Sequence, residues 1–290
     1  MKRFAIALFA LLAPALAQAE KPLQVGVTLH TYYSWVANVV QGTDVKVVAI
    51  LPGEIDAGNY QPSPKDIARL ATLDALVING IGHDDFVPEM VKASGNTRLK
   101  ILKPNDGTPL MPGAHGEAVN PHTFLSFTNA IQQTYFIAHA LGALRPKLAE
   151  KFNSNAHAYA RRLRAIKAAA AAKLVNPKIT RVVTVHDGYS YLMQEFGIEI
   201  AGVVQPAHGL TPSAAELQHM IDLMKREKIQ VVLTEESFPA PLLRTLQEAT
   251  GAKVFIISHI ATGTYAPDEF EKGMQKNVDT LVQALTQGAT

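Results

Sequence analysis

"RPKLAEKFNSNAHAYARRLRAIKAAAAAKLV", residues 145–175, is the longest helical pattern in the chain and separates two similar halves. The stretch contains no glycine, and its only proline, Pro146, stands at its beginning. Apolar residues recur along it at helical spacing: Leu148, Phe152, Tyr159, Leu163 and Ile166. At about 1.5 Å per residue, such a helix would span roughly 45 Å, the height of two lobes. We predict that it joins the two lobes as a stiff backbone, which limits hinge motion to small rotations.

On each side of this helix, short runs of β-branched residues alternate with helical patterns. The candidate strands of the first half are LQVGVTL (23–29), DVKVVAI (44–50), DALVIN (74–79) and LKIL (99–102). Those of the second half are RVVTV (181–185), IEIAGVV (198–204), IQVVLT (229–234) and AKVFII (252–257). Such alternation indicates parallel sheets covered by helices. We therefore predict an α/β fold with lobes at 20–144 and 176–290, joined by the helix at 145–175.

The amino terminus has the pattern of a secretory signal. A positively charged start, MKRF, precedes the apolar run AIALFALLAPALA, and Ala17-Gln18-Ala19 forms a small-residue cleavage site. The run is too short to span a bilayer. We predict that residues 1–19 are cleaved during export to the periplasm. Because the chain has no cysteine to carry a lipid, we expect a free protein and not a lipoprotein.

Charge and cysteine content narrow the functional classes. Without Lys2 and Arg3 of the signal, the 27 basic residues fall to 25, equal to the 25 acidic residues. A balanced charge argues against a nucleic-acid partner or an anionic membrane surface, since both select for basic patches. The absence of cysteine excludes a thiolate metal ligand and a catalytic thiol. Metal chemistry in this chain would therefore depend on histidines and carboxylates.

Three histidines at the ends of predicted elements are the main candidates for metal ligands. His122 opens a helix after a long loop, His186 follows the strand RVVTV, and His259 follows AKVFII. The carboxyl ends of strands in open α/β sheets are where ligands bind. Three converging imidazoles would suit zinc and other late first-row metals. These residues are the candidate metal ligands.

Several segments together resemble one known family. GEIDAGNYQPSPKDIARLATLDALVINGIG (53–82), NPHTFLSFTNA (120–130) and VVTVHDGYSYLMQEFGIE (182–199) occur in the order of that family's motifs. The family is that of the periplasmic metal-ion-binding proteins of ABC importers, the zinc- and manganese-binding ZnuA-like and TroA-like solute-binding proteins. The resemblance covers the mature chain. It implies two α/β lobes, one long connecting helix and a metal ion held in the cleft between the lobes.

The chain departs from the family pattern at two ligand positions. Gly58 stands where the family's first loop carries a histidine ligand, and His259 stands where the family commonly has an aspartate. Glu235 matches a family glutamate at the end of a strand, and it is the best candidate for a further donor. Other candidates for that role are His208, His30 and His115. Asp187 is expected to lie behind the ligands or to cap the helix after His186.

The resemblance implies a solute-binding protein that delivers its ion to an ABC permease in the inner membrane. An imidazole-rich site favours Zn²⁺ over Mn²⁺, because manganese prefers more oxygen donors. A metal complex as the ligand, or a periplasmic metal buffer, remains an alternative. A zinc hydrolase is the enzymatic alternative, but the chain carries no HExxH or GxSxG motif and no Walker phosphate loop. We predict a monomeric binding protein and not an enzyme.

Overall fold

The computed structural model describes residues 21–113, 118–205 and 209–287. The predicted signal peptide at 1–19 and two of the candidate ligands, His115 and His208, lie outside these residues.

Two parallel four-stranded sheets confirm the predicted fold class. The first contains β1 (Gln24–Val27), β2 (Lys46–Ala49), β3 (Ala75–Val77) and β4 (Lys100–Leu102), in the order β2-β1-β3-β4. The second contains β5 (Arg181–Thr184), β6 (Glu199–Val203), β7 (Val231–Thr234) and β8 (Lys253–Ile256), in the order β6-β5-β7-β8. Every strand pair in both sheets is parallel.

The strand order reverses at the same place in each sheet. The chain runs from β1 outward to β2 and then returns to place β3 on the other side of β1. In the second sheet, β6 and β7 flank β5 in the same way. Such a switch point opens a crevice beyond the carboxyl ends of the two central strands. The loops after β1, β3, β5 and β7 therefore lie where a ligand would bind.

Helices connect and cover the strands. In chain order they are α1 (His30–Val39), α2 (Pro64–Leu70), α3 (Val87–Ser94), α4 (Phe127–Leu144), α5 (Ala149–Lys173), α6 (Ser190–Glu195), α7 (Ala214–Arg226), α8 (Ala240–Thr250) and α9 (Glu269–Gln287). Both α2 and α7 begin with a capping box, which Ser63 and Ser213 each form with the acidic residue three positions on. Among the described residues, we find no helix with the length and apolar character needed to cross a membrane.

The long helix links the two lobes, as predicted, but it is shorter than its sequence pattern. α5 has 25 residues, about 37 Å, and a separate 3-10 turn at Pro146–Leu148 precedes it. The proline ring fixes φ and removes an N–H, so the chain turns between α4 and α5 before the long helix starts. The buried face of α5 includes Phe152, Tyr159 and Leu163, which are fully inaccessible to solvent.

The carboxyl-terminal helix returns to the first lobe. Phe270 of α9 packs edge-on against Trp35 of α1, with ring centroids 5.2 Å apart. Ahead of α9, the carbonyl of Pro267 accepts a hydrogen bond of 2.7 Å from the side-chain amide of Asn38. Arg162 of α5 donates two hydrogen bonds to the carboxylate of Glu271, at 2.8 and 3.0 Å. The two lobes therefore share one continuous apolar core, to which both contribute.

Glu195 at the end of α6 provides a second link between the lobes. Its carboxylate accepts hydrogen bonds from the backbone N–H groups of Phe127 and Thr128, at 3.0 and 2.7 Å. These groups belong to the first turn of α4, whose N–H groups have no partner within the helix. Lys167 of α5 lies 3.2 Å from the same carboxylate. A side chain of the second lobe thus caps a helix of the first, and only 8% of that side chain is exposed.

Replacement of Glu195 by alanine should destabilise the protein by about 1.5–3 kcal/mol, because it removes a charged acceptor from the N–H donors of the first turn of α4. Denaturant unfolding of the metal-free variant measures this loss. Glu248→Ala, which removes an exposed carboxylate from α8, serves as the control and should change stability by less than about 0.5 kcal/mol. Equal stability of the two variants would contradict a capping role for Glu195.

Candidate metal centre

Four buried histidines converge between the two lobes. His83, His122, His186 and His259 are each at most 6% exposed. The ring centroid of His122 lies 5.0 Å from that of His83, 4.7 Å from that of His186 and 4.8 Å from that of His259. Buried imidazoles so close together form a candidate metal centre composed mainly of nitrogen donors.

The spacing of two of these donors fits a shared metal ion. Nε2 of His122 and Nε2 of His186 are 3.1 Å apart. Two nitrogens each bound ~2.0–2.1 Å from a tetrahedral zinc ion lie about 3.3 Å apart. The donor atoms of His83, His122 and His259 also lie within 4.8 Å of one another. Small adjustments of the rings would therefore suffice to surround one ion.

The sheet topology explains why these side chains meet. His83 lies in the loop after β3, His186 follows β5, and His259 follows β8. The loop of His83 is held by the carboxylate of Asp84, which accepts hydrogen bonds from the backbone N–H groups of Asn79 and Gly80 at 2.7 and 2.8 Å. The centre thus lies beyond the carboxyl ends of the strands of both sheets, as the switch points predict.

Asn120 fixes the orientation of His122. The side-chain oxygen of Asn120 accepts hydrogen bonds from the backbone N–H of His122 at 3.0 Å and from its Nδ1 at 2.8 Å. Because Nδ1 then carries the ring proton, Nε2 is the nitrogen that can bind a metal. The amide nitrogen of Asn120 donates to the carbonyl of Asp187 in the second lobe, at 3.1 Å. This hydrogen bond joins the loops of His122 and His186.

Gly188 permits the close approach of His186 and His122. A Cβ atom at this position would lie 2.8 Å from Cδ2 of His186 and 3.2 Å from Cδ2 of His122. The first of these distances is shorter than side-chain atoms tolerate. The sequence HDG therefore leaves room for two imidazoles where a larger residue would push them apart.

Two carboxylates contact the histidines. Asp56 lies with Oδ1 3.0 Å from Nε2 of His83 and with Oδ2 3.1 Å from Nδ1 of His259. Glu235, which follows β7, has a donor oxygen within 4.8 Å of donor atoms of His186 and His259. The hydroxyl of Tyr189 donates a hydrogen bond of 2.9 Å to Glu235. A bound dication would therefore lie among four imidazoles with two negative charges nearby.

Burial and charge act in opposite directions on the titration of this cluster. Burial alone would lower the pKa of His259, but the hydrogen bond and charge of Asp56, together with the charge of Glu235, raise that pKa above its ordinary value. Burial alone would raise the pKa of Asp56, but the hydrogen bonds and charges of His259 and His83 hold it well below the ordinary range. Asp56 is therefore ionised at neutral pH.

The structure brings together four residues that the sequence predicted as candidate metal ligands: His122, His186, His259 and Glu235. Their role as ligands stays a prediction. His83 was not among the expected ligands, because the family resemblance places the ligand positions of the first lobe at Gly58 and His122. Its place shortly after the strand DALVIN, at the carboxyl edge of the sheet, is the sequence signal by which it could have been found.

His30 and Asp187, the other candidates among the described residues, have other partners. His30 begins α1, its Nε2 lies 3.0 Å from the carbonyl oxygen of Thr264, and burial lowers its pKa. The side chain of Asp187 accepts a hydrogen bond of 3.3 Å from the side-chain hydroxyl of Ser190 at the start of α6. Its role behind the ligands or as a helix cap stays a prediction. Gly58 is exposed in a 3-10 turn at Ala57–Asn59. The imidazole of His83 lies beside the ring of His122.

A cavity of about 750 Å³ opens beside the histidines. Asp56, His186, Glu235 and His259 are among the residues that line it. Residues of both lobes contribute to its wall. The cavity is the candidate access route to the centre.

Two parallel-sheet lobes with imidazoles buried between them define a solute-binding protein for metal ions. The chain matches the family model of ZnuA, the periplasmic component A of a zinc-uptake complex, over residues 25–284, and it belongs to that family. Members of this family are solute-binding proteins, which confirms the prediction that the chain is not an enzyme.

Similar proteins bind several divalent metals. The zinc-binding lipoprotein AdcA of Streptococcus pneumoniae is 26% identical over 287 residues, which cover 93% of this chain and 57% of AdcA. The chain thus spans little more than half the length of this streptococcal relative. The high-affinity zinc uptake system protein ZnuA of Bacillus subtilis is 24% identical over 282 residues, 91% of this chain and 88% of that protein.

Solved structures of FpvC, a solute-binding protein from Pseudomonas aeruginosa, are more similar in sequence. The structure in complex with Mn²⁺ is 42% identical, with a TM-score of 0.85, and the match covers 91% of this chain and 98% of FpvC. The structure in complex with Ni²⁺ is 41% identical, with a TM-score of 0.85 and coverage of 91% and 97%.

Zinc affinity should fall steeply as the pH drops from ~7.5 to ~5.5, because imidazoles with an ordinary pKa of ~6.5 bind metal only when neutral. Burial lowers the pKa of His259, but Asp56 and Glu235 raise it by more, so the pKa lies above its ordinary value. Protons therefore compete with zinc for His259 at a higher pH than for an ordinary imidazole. Chelator-competition titrations across this range should show a loss of at least ~100-fold. A carboxylate-dominated site would keep its metal to pH ~4–5, so undiminished affinity at pH ~5 would contradict the histidine centre.

Proposed function

We propose that the chain captures a divalent late first-row metal ion, with zinc preferred over manganese, and delivers it to an ABC permease in the inner membrane. The observation that carries this proposal is the convergence of four buried histidines from both lobes. Membership of the ZnuA family supports the transport role. The periplasm is the proposed location, where the predicted signal peptide would direct the chain.

The donor set favours zinc. Imidazole nitrogens suit Zn²⁺, Ni²⁺ and Cu²⁺, whereas Mn²⁺ prefers carboxylate, carbonyl and water oxygens. Oxygen donors near the centre come from Glu235 and Asp56, and Asp56 is engaged with two of the histidines. The similar proteins differ in the metal that they are named for. AdcA and ZnuA are named for zinc, whereas the FpvC structures contain Mn²⁺ or Ni²⁺. We base the preference for zinc on the imidazoles of this chain.

The geometry also suits capture between lobes. His83 and His122 belong to the first lobe, and His186 and His259 follow strands of the second. An ion bound to all four would contact both lobes at once and favour their closed arrangement. Because Glu195 and α9 already join the lobes, we expect the opening that admits the ion to be small. Docking of both lobes on a permease would then be sensitive to whether an ion is bound.

A second candidate ligand is a metal complex. The cavity of about 750 Å³ beside the histidines is far larger than a single ion requires and lies within the range of small-molecule pockets. Titration with free Zn²⁺ and with zinc bound to a small chelator separates the two candidates. Tighter binding of the chelate than of the free ion would favour the complex.

Replacement of any one of the four histidines by alanine should weaken Zn²⁺ binding by at least ~10-fold: His83→Ala, His122→Ala, His186→Ala or His259→Ala. Losses of this size follow even when only a residue that hydrogen-bonds to a metal ligand is replaced. The metal-free parent should bind Zn²⁺ more tightly than Mn²⁺. Isothermal titration calorimetry with a competing chelator measures both effects.

His219→Ala is the matched control, because this histidine is exposed on α7. It should leave the affinity unchanged. Parent-like affinity of His83→Ala would show that the centre holds three histidines and not four. Absence of zinc binding by the parent would contradict the proposed function itself.

A further inference from the structure

Asp56 connects two of the candidate ligands across the lobes. It lies in the turn between β2 and α2, and its two carboxylate oxygens are 3.0 and 3.1 Å from ring nitrogens of His83 and His259. His83 follows a strand of the first sheet and His259 a strand of the second. We propose that Asp56 is a positioning residue for metal capture, which orients both imidazoles and balances the charge of the ion. This inference rests on the proposed function.

Orientation matters because an imidazole binds metal through one nitrogen and is held through the other. Oδ2 of Asp56 lies against Nδ1 of His259, and a proton shared there leaves Nε2 as the metal-binding atom. His122 is oriented in the same way by the neutral oxygen of Asn120. Asp56 therefore orients His259 through Nδ1, as Asn120 orients His122, and Asp56 also carries a negative charge.

The backbone around Asp56 holds its carboxylate in place. Oδ1 accepts a hydrogen bond of 3.0 Å from the N–H of Gly58. The carbonyl of Gly53 accepts one of 2.7 Å from the N–H of Gly263, just beyond His259 in the chain. A Cβ atom at position 53 would lie 2.3 Å from the carbonyl oxygen of Gly263, so this contact requires glycine. The turn of Asp56 and the segment of His259 are thus fixed to each other.

The loop between β2 and α2, in which Gly58 stands where the family resemblance places a histidine, still has a role at the centre. Gly58 supplies a backbone N–H to Asp56 and no side-chain donor. The imidazole beside His122 comes from His83, and Asp56 contacts that imidazole. The loop thus contributes a carboxylate to the centre.

Charge balance gives a second reason for the carboxylate. Four neutral imidazoles leave both charges of a dication uncompensated in a buried site, and buried charges are stable only when paired. The side chain of Asp56 is 17% exposed, so water screens it little. Asp56 and Glu235 together would offset the charge of a divalent ion.

Zinc titration of Asp56→Ala and Asp56→Asn tests this proposal. Asp56→Ala should bind Zn²⁺ ~100-fold more weakly, and Asp56→Asn, which keeps one acceptor oxygen, ~10-fold more weakly. Glu89→Gln is the control, because it removes an exposed charge from α3 of the same lobe. An exposed charge is screened by salt, so this control should change affinity by less than ~3-fold at physiological ionic strength.

Long-range ¹H–¹⁵N NMR of the zinc-loaded proteins separates positioning from a loss of fold. In the parent, His259 should bind zinc through Nε2 and carry its proton on Nδ1, and this single form should be lost in Asp56→Ala. Parent-like affinity and an unchanged His259 signal in both Asp56 variants would overturn the inference. If Asp56→Ala does not fold, Asp56→Asn decides the question. Failure of the parent to bind zinc would count against the proposed function instead.

Discussion

Four imidazole rings that meet at one point need a frame that fixes each ring independently, and the rest of the structure depends on this constraint. An imidazole can present either nitrogen, and its ring can rotate, so a strand end alone does not place a donor. Hydrogen bonds supply what is missing: Asn120 holds His122, and Asp56 holds His259. The parallel sheets bring the loops to the same crevice, and these polar contacts orient the rings within it.

The frame is rigid because the lobes are joined at several places. α5 runs between them, α9 packs on α1 with Phe270 against Trp35, and Glu195 caps α4 from the second lobe. A shared apolar core resists large hinge motion, because any opening would expose buried side chains to water. A protein of this kind would exchange its ion through small movements of loops beside the cavity. Preorganised donors also lower the cost of ordering side chains when the ion binds.

Much of this arrangement was predictable from local sequence patterns. Strand–helix alternation predicted two parallel sheets, and the glycine-free stretch predicted the long helix. Its start at Ala149 was missed because the helical periodicity of Leu148 continues across a turn that Pro146 imposes. The return of α9 to the first lobe was not predictable from spacing, since it depends on contacts between residues far apart in the chain. His122, His186 and His259 were identified by their position after strands or before a helix. His83 was missed because the family resemblance places the first imidazole at position 58, whereas in this chain the loop after β3 supplies the imidazole beside His122.

X-ray absorption spectroscopy of the zinc-loaded protein tests the central claim most directly, since it counts the donors around the ion. The account predicts four nitrogen donors at ~2.0–2.1 Å with the multiple-scattering pattern of imidazole. It also predicts that one imidazole is lost in His83→Ala. A first shell dominated by oxygen, or the same number of imidazoles in the parent and in His83→Ala, would contradict a centre made of four histidines.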